Sequence, residues 1–185
     1  MPTVPATESA GALLRSSFTK EQVKEMACAR GWLHGASENH TDVDAWCDRA
    51  AFLLGPQAPD KAALENLLQL VFEYDARTLL ELPETRAVLM REGAREVLRA
   101  LAHQILEGGE VDSDRFKVII TAMKEALRFR GRELFHPIRL ALAGRARQGE
   151  LDRVILLLDW AARLPLPKPV KGTRQRILEF CAALD

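Results

Sequence analysis

The sequence predicts an all-α fold, and three observations carry that prediction. Apolar residues recur at three- and four-residue steps, start and stop residues bracket the apolar segments, and sustained strand-like alternation is absent. At 185 residues and 48% hydrophobic content, the chain can bury a substantial core. The segmentation gives roughly ten helices in a multi-helix bundle.

Residues 1–17, with two prolines and small polar side chains, read as a disordered arm. Thr19 and Gln22 have capping-box spacing for a helix to Arg30, and Thr41 with Asp44 opens another that Gly55-Pro56 ends. Pro59-Asp60 starts a third, whose buried stripe is Leu64, Leu67, Leu68, Val71 and Phe72. Pro83 suits the first turn of a short helix to Met90. Gly93 separates it from residues 94–106, where Val97, Leu98, Leu101 and Ile105 mark the inner face.

Gly108-Gly109 ends that helix, and Asp112 or Ser113 caps the next, which turns Phe116, Ile119, Ile120, Met123, Ala126 and Leu127 inward before stopping at Gly131. A helix follows over 134–142, with Pro137 in its first turn because proline lacks the amide donor. Beyond a 144–149 loop, residues 151–164 are helical. Pro165, Pro167 and Pro169 impose an extended connector to a last helix over 173–184.

Formal charge is zero, from 26 Lys+Arg against 26 Asp+Glu, which argues against bulk non-specific attraction to nucleic acid. The balance conceals a polarity. Residues 113–185 hold 15 basic and 8 acidic side chains, so a polyanion is expected to meet the C-terminal half. The sign changes near 107–112, which divides the chain into an N-terminal helical subdomain at 18–107, a C-terminal one at 108–164, and a connector with final helix at 165–185.

Three cysteines at wide spacing do not form a disulfide framework, and no secretory signal or run of roughly 20 apolar residues occurs. A soluble cytoplasmic protein is expected. Cys28, His34, His40 and Cys47 lack the tight paired spacing of zinc sites, while Trp32 and Trp46 between them read as core anchors. Glu38, His40, Asp42 and Asp44 have no nucleophile beside them. No metal or other cofactor is expected.

The basic side chains cluster near one segment. Lys124, Arg128, Arg130 and Arg132 offer a phosphate track, with 124 and 128 on one helix face, or merely favourable charge at a helix C-terminus. Arg145 and Arg147 follow the stop at Gly144, and the next helix begins beyond Gly149, so guanidinium groups and helix-start amides can converge on phosphate. A solvated loop is the other reading. His136, between Phe135 and Pro137, is either a base-stacking group or a structural histidine.

Leu134-Phe135-x-Pro137-Ile138-Arg139-x-Ala141-Leu142-x-Gly144, with a short loop and an apolar helix after it, resembles the anticodon-binding end of bacterial glutamyl-tRNA synthetases. The resemblance covers roughly residues 70–164, with Thr78-Leu79-x-Glu81-Leu82 matching loosely. It implies an α-helical cage around the anticodon loop, with Arg139, Gln148, Gly149 and Leu151 at the bases. Arg128, Arg130, Arg145 and Arg147 would then position phosphates, beside Lys124 and Arg132. The chain departs from the family run at Ala143, Gly149 and Asp159, where threonine, proline and glycine are usual. Asn66 or Leu67 falls where some members present an arginine to the third anticodon base, with Arg77 as a displaced substitute, so no codon preference follows.

The H-I-G-H and K-M-S-K-S motifs of a class I synthetase do not occur, nor does a phosphate loop, a G-x-S-x-G elbow or an H-E-x-x-H pair. The resulting expectation is a free-standing, non-catalytic domain that binds tRNA or another structured RNA, acting in trans or joining a separate synthetase or catalytic subunit. The rival is a protein-interaction scaffold that has lost its RNA face. Basic side chains gathered on one surface favour the first; pairing with Glu125, Glu133 and Glu150 favours the second.

Overall fold

Start signals in the sequence become side-chain caps in the computed structural model, which describes residues 18–33, 41–147 and 151–184. Thr19 Oγ1 accepts from the Gln22 amide at 3.3 Å and the Gln22 side chain accepts from the Thr19 amide at 2.9 Å, a reciprocal capping box for α1, Lys20–Ala29. α2, Thr41–Leu54, runs into a 3-10 turn at Gly55–Gln57. Asp60 caps α3, Lys61–Phe72, and Asp75 caps α4, Ala76–Glu81. Pro83 is the first residue of α5, Pro83–Leu89. Gly93, at φ +80°, precedes α6, Ala94–Leu106, and Asp112 caps α7, Ser113–Ala126.

The chain after α7 corrects the expected helix to Gly131. Leu127 and Arg130 have extended backbone, and the four residues alternate: Leu127 and Phe129 are buried, whereas Arg128 and Arg130 are exposed. Lys124 and Arg128 therefore do not share a helix face. The alternation in Leu-Arg-Phe-Arg is too short to read as a strand, but burial of both apolar side chains selects the extended backbone. Phe129 enters a space that only glycine leaves open, since a Cβ at Gly93 would lie 2.0 Å from its ring.

α8 spans Gly131–Ala143, so Pro137 is its seventh residue and not in its first turn. Arg130, the extended residue before the helix, lets it start three residues earlier than expected. The missing proline amide leaves the carbonyl four residues back, on exposed Glu133, for solvent to satisfy. At the other end Gly144 adopts φ +79° and its amide donates to the Leu140 carbonyl at 3.1 Å, a left-handed stop. α9, Leu151–Arg163, and α10, Thr173–Leu184, complete ten α-helices, with no strand, among the described residues.

One hydrophobic cluster runs from Val23 through Phe180, drawing on helices from both sides of residues 107–112. α9 is central: α2, α3 and α8 all pack on it. Trp46 is fully buried, donates its indole N–H to the Leu157 carbonyl at 3.2 Å, and meets Phe72 edge-on, while Phe72 stacks on Trp32. Both tryptophans are the core anchors expected of them. Cys47 beside Trp46 is buried, and burial pushes its thiol pKa up to about 12, far from a reactive thiolate.

The least foreseen element of the core is charged. Arg176 of α10 has no exposed surface and donates to four carbonyls: Lys171 at 2.8 Å, Leu70 at 2.9 Å, Val71 at 2.5 Å and Leu142 at 2.8 Å. Leu70 and Val71 lie in the last turn of α3 and Leu142 in the last turn of α8, where carbonyls lack helical partners and the dipole is negative. Tyr74 stacks under the guanidinium at 4.5 Å and donates its hydroxyl to Ala141 at 2.5 Å. α10 thereby clamps two helix ends.

Candidate nucleic-acid interface

The basic residues singled out from the sequence are distributed over α7, the extended 127–130 segment, α8 and the loop after Gly144. On α8 the spacing of Arg132, Phe135, His136 and Arg139 places them along one helix face. Arg139 lies 4.9 Å above the Phe135 ring, and Lys124 reaches across from α7 to lie 5.7 Å from the same ring. Phe135 is only partly buried, so an aromatic surface sits among cations. Sequence reasoning used Phe135 as a motif residue and missed this surface.

Arg139 is oriented by an ion pair. Its Nε and Nη2 donate to the two carboxylate oxygens of Asp152 at 2.8 and 3.0 Å, a fork geometry that fixes the guanidinium plane. Nη1 has no partner among the described residues. Arg128 pairs with Glu92 and lies over Phe129 at 5.3 Å. Arg130 turns back to donate to the Leu127 carbonyl at 2.5 Å and to that of Phe129 at 2.7 Å. These contacts leave the two arginines exposed, with heads held beside the extended segment.

Arg132, Arg145 and Arg147 are exposed and have no acidic partner among the described residues. Arg145 opens on a cleft of about 630 Å³, lined also by Tyr74, Leu79, Gly144, Lys168 and Lys171. Lys168 pairs with Glu73 at 3.3 Å and Lys171 with Glu179 at 2.6 Å. Leu151 is fully buried as the first residue of α9, so it fills core and, contrary to expectation, offers no accessible surface to a ligand. Gln148 and Gly149 lie outside the described residues, as do His34 and His40 of the zinc question. No metal-holding group of three acidic, His or Cys side chains occurs among the described residues, and none of their helices is long and apolar enough to cross a membrane.

Asp159 has a structural role that its chemistry explains. Its carboxylate accepts from the Val111 amide at 2.7 Å, the Thr173 amide at 2.6 Å and the Thr173 hydroxyl at 2.8 Å. It thereby ties α9 to the entry of α7 and the start of α10.

A family model described as an anticodon binding domain matches residues 21–159. The chain belongs to that family. The matched span begins well before the residue near 70 where the motif resemblance becomes readable, and it ends before α10. Among curated relatives of this anticodon-binding domain is the glutamate–tRNA ligase of Bacillus subtilis (strain 168), 36% identical over 126 residues, or 66% of this chain and 25% of that protein. Glutamate–tRNA ligase 2 of Syntrophus aciditrophicus (strain SB) is 32% identical over 114 residues, 61% of this chain and 23% of the relative. Glutamate–tRNA ligase 1 of Maricaulis maris (strain MCS10) is 42% identical over 59 residues, 32% of this chain and 13% of its own length. The chain thus spans about a quarter or less of each of these relatives. No solved structure matches it.

Within the domain, His136 is a sensor of its surroundings. Burial and then the nearby charges of Arg91, Arg139, Arg132 and Arg147 hold its pKa below the ordinary 6.5. The folded protein therefore binds fewer protons there than the unfolded chain. The contribution is complete above 6.5 and is lost as pH falls from there through the lower folded value. Urea unfolding between about pH 7.5 and 5 is expected to show a stability loss that His136→Gln reduces. Equal pH dependence in both proteins would refute the role of this ring.

Proposed function

We propose that this anticodon-binding domain binds tRNA through the Arg132–Phe135–Arg139 face of α8 and the arginines after Gly144, and that it does so without catalysing aminoacylation itself. The observation that carries the reading is the Arg139–Asp152 fork, which holds a guanidinium plane over Phe135, with Nη1 unpartnered among the described residues. An oriented donor beside an accessible aromatic ring suits recognition of unstacked bases, and Arg128, Arg130, Arg145 and Arg147 suit phosphate positioning. Among the described residues Arg128 pairs with Glu92 and Arg139 with Asp152, and no ion pair involves Glu125 or Glu133, which supports the RNA reading over the scaffold; Glu150 lies outside the described residues. Such a domain would act in trans, presenting tRNA to a separate catalytic subunit.

Filter binding against bulk tRNA, tRNA-Glu and duplex RNA at two salt concentrations tests this. Affinity is expected to fall with salt, and the double change Arg145→Ala, Arg147→Ala is expected to weaken it about tenfold and flatten the salt slope by about two, with helicity retained. The same preparation is expected to give no glutamate-dependent pyrophosphate exchange, because in-line chemistry at an α-phosphate needs a nucleotide cradle that these helices do not supply. Salt-insensitive binding, or exchange activity, would refute the respective parts.

A further inference from the structure

Arg91 stands outside every motif, in the turn between α5 and α6, yet its Nη1 lies 3.0 Å from Nδ1 of His136 on α8. An arginine has only donors, so Nδ1 must accept and the ring proton resides on Nε2. His136 is only 8% exposed, while Arg91 itself is exposed. A buried neutral ring thus holds a solvent-facing guanidinium. The turn supports the arrangement: the Arg91 amide donates to the Val88 carbonyl and the Ala94 amide to the Arg91 carbonyl, each at 3.2 Å.

Other cations act on this ring. Arg132 lies one helical turn before His136 on α8, and its charge, with those of Arg139 and Arg147, acts on the imidazole. Asp152 pairs with Arg139 and Glu92 with Arg128. Arg91, Arg132 and Arg147 have no acidic partner among the described residues. Arg91 and Arg132 thus bring like charges from two separate elements to one ring, and a bound anion relieves their repulsion.

We propose that Arg91 and Arg132 form a phosphate-binding subsite beside His136, which takes a backbone phosphodiester of the RNA and is separate from base contact by Arg139. The proposal rests on the tRNA-binding reading above and adds to it the α5–α6 turn, which places a nucleotide backbone across the α8 face. His136 is a positioning residue: it accepts from Arg91 and does not itself touch the phosphate. A phosphodiester fits better than a peptide carboxylate because guanidinium groups from two elements match its two unesterified oxygens, and because Phe135 lies one residue from His136 for an adjacent base.

The test uses the full chain and bulk tRNA, with polyglutamate as the competing acidic ligand. Arg91→Gln is expected to weaken tRNA binding about five- to tenfold and reduce the salt slope by about one, while Arg95→Gln, which removes the same charge from exposed α6 surface, stays within about twofold. Circular dichroism must be unchanged for both. His136→Ala, which removes the acceptor but no charge, is expected to weaken binding less and leave the salt slope intact. If wild-type protein binds tRNA and Arg91→Gln matches it in affinity and slope, the subsite is wrong and the tRNA reading stands. If wild-type protein ignores tRNA, or binds polyglutamate in its place, both fail together.

Discussion

Arg176→Ala is expected to lower the unfolding free energy by about 3–5 kcal/mol, because it strands buried carbonyls and opens a cavity at once. The four acceptors are Lys171, Leu70, Val71 and Leu142, and two helix ends lose their charged clamp together. Burial pulls the guanidinium pKa down to about 10, still well above neutrality, so the group is charged where the protein works. Arg176→Lys keeps charge but cannot reach acceptors in several directions, so it is expected to recover only part of the loss. Urea unfolding followed by circular dichroism reads both. A loss below about 1 kcal/mol for the alanine variant would show that α10 is an accessory and not a clamp.

The consequence reaches the interface. Arg176 and Tyr74 hold Leu142 and Ala141, the last turn of α8 before Gly144, so the loop carrying Arg145 and Arg147 departs from a braced helix end. A helix end held by tertiary contacts has a defined exit direction, which a frayed one does not. Variants of Arg176 that remain folded should therefore bind tRNA more weakly although no contact to RNA was removed.

Asp159→Ala carries the second large effect, about 2–4 kcal/mol, since one carboxylate satisfies three donors. Val111 and Thr173 are almost fully buried, so their amides have no alternative in solvent. Asp159→Asn retains an acceptor and should lose roughly half as much. Native-state hydrogen exchange separates this from a general weakening: the Val111 and Thr173 amides should lose protection before the Trp46 region does. Uniform loss across the chain would count against a local anchor. Gly172 fits the same arrangement, because a Cβ there would lie 2.8 Å from the Asp159 carboxylate.

Much of the fold was legible because helix boundaries are local chemistry. Thr19, Asp60 and Asp112 each satisfy an amide three residues on, and Gly144 needs a left-handed φ, so four or five residues suffice to read them. The segment 127–130 was misread for the converse reason. Its backbone is selected by Phe129 filling the space over Gly93, some thirty-six residues away in the chain. Pro137 was misplaced because proline's preference for a first turn is only a preference, and Glu133, the residue whose carbonyl loses the amide, is exposed to solvent.

The candidate site divides along the same line. The P-I-R run with its following glycine pointed to Arg139 and the arginines after it, and the family match bears out the resemblance over a longer span than the motif. Nothing in the sequence pairs Arg139 with Asp152, brings Arg91 to His136, or aims Arg176 at two helix ends. By itself the sequence determined the helical class, most of the helix starts and stops, the two tryptophan anchors and the family. Only the tertiary structure decided which arginines are spent on the protein's own carbonyls and carboxylates and which face outward. Guanidinium groups are alike in sequence, and their roles are set by which acceptors the packed helices leave within reach.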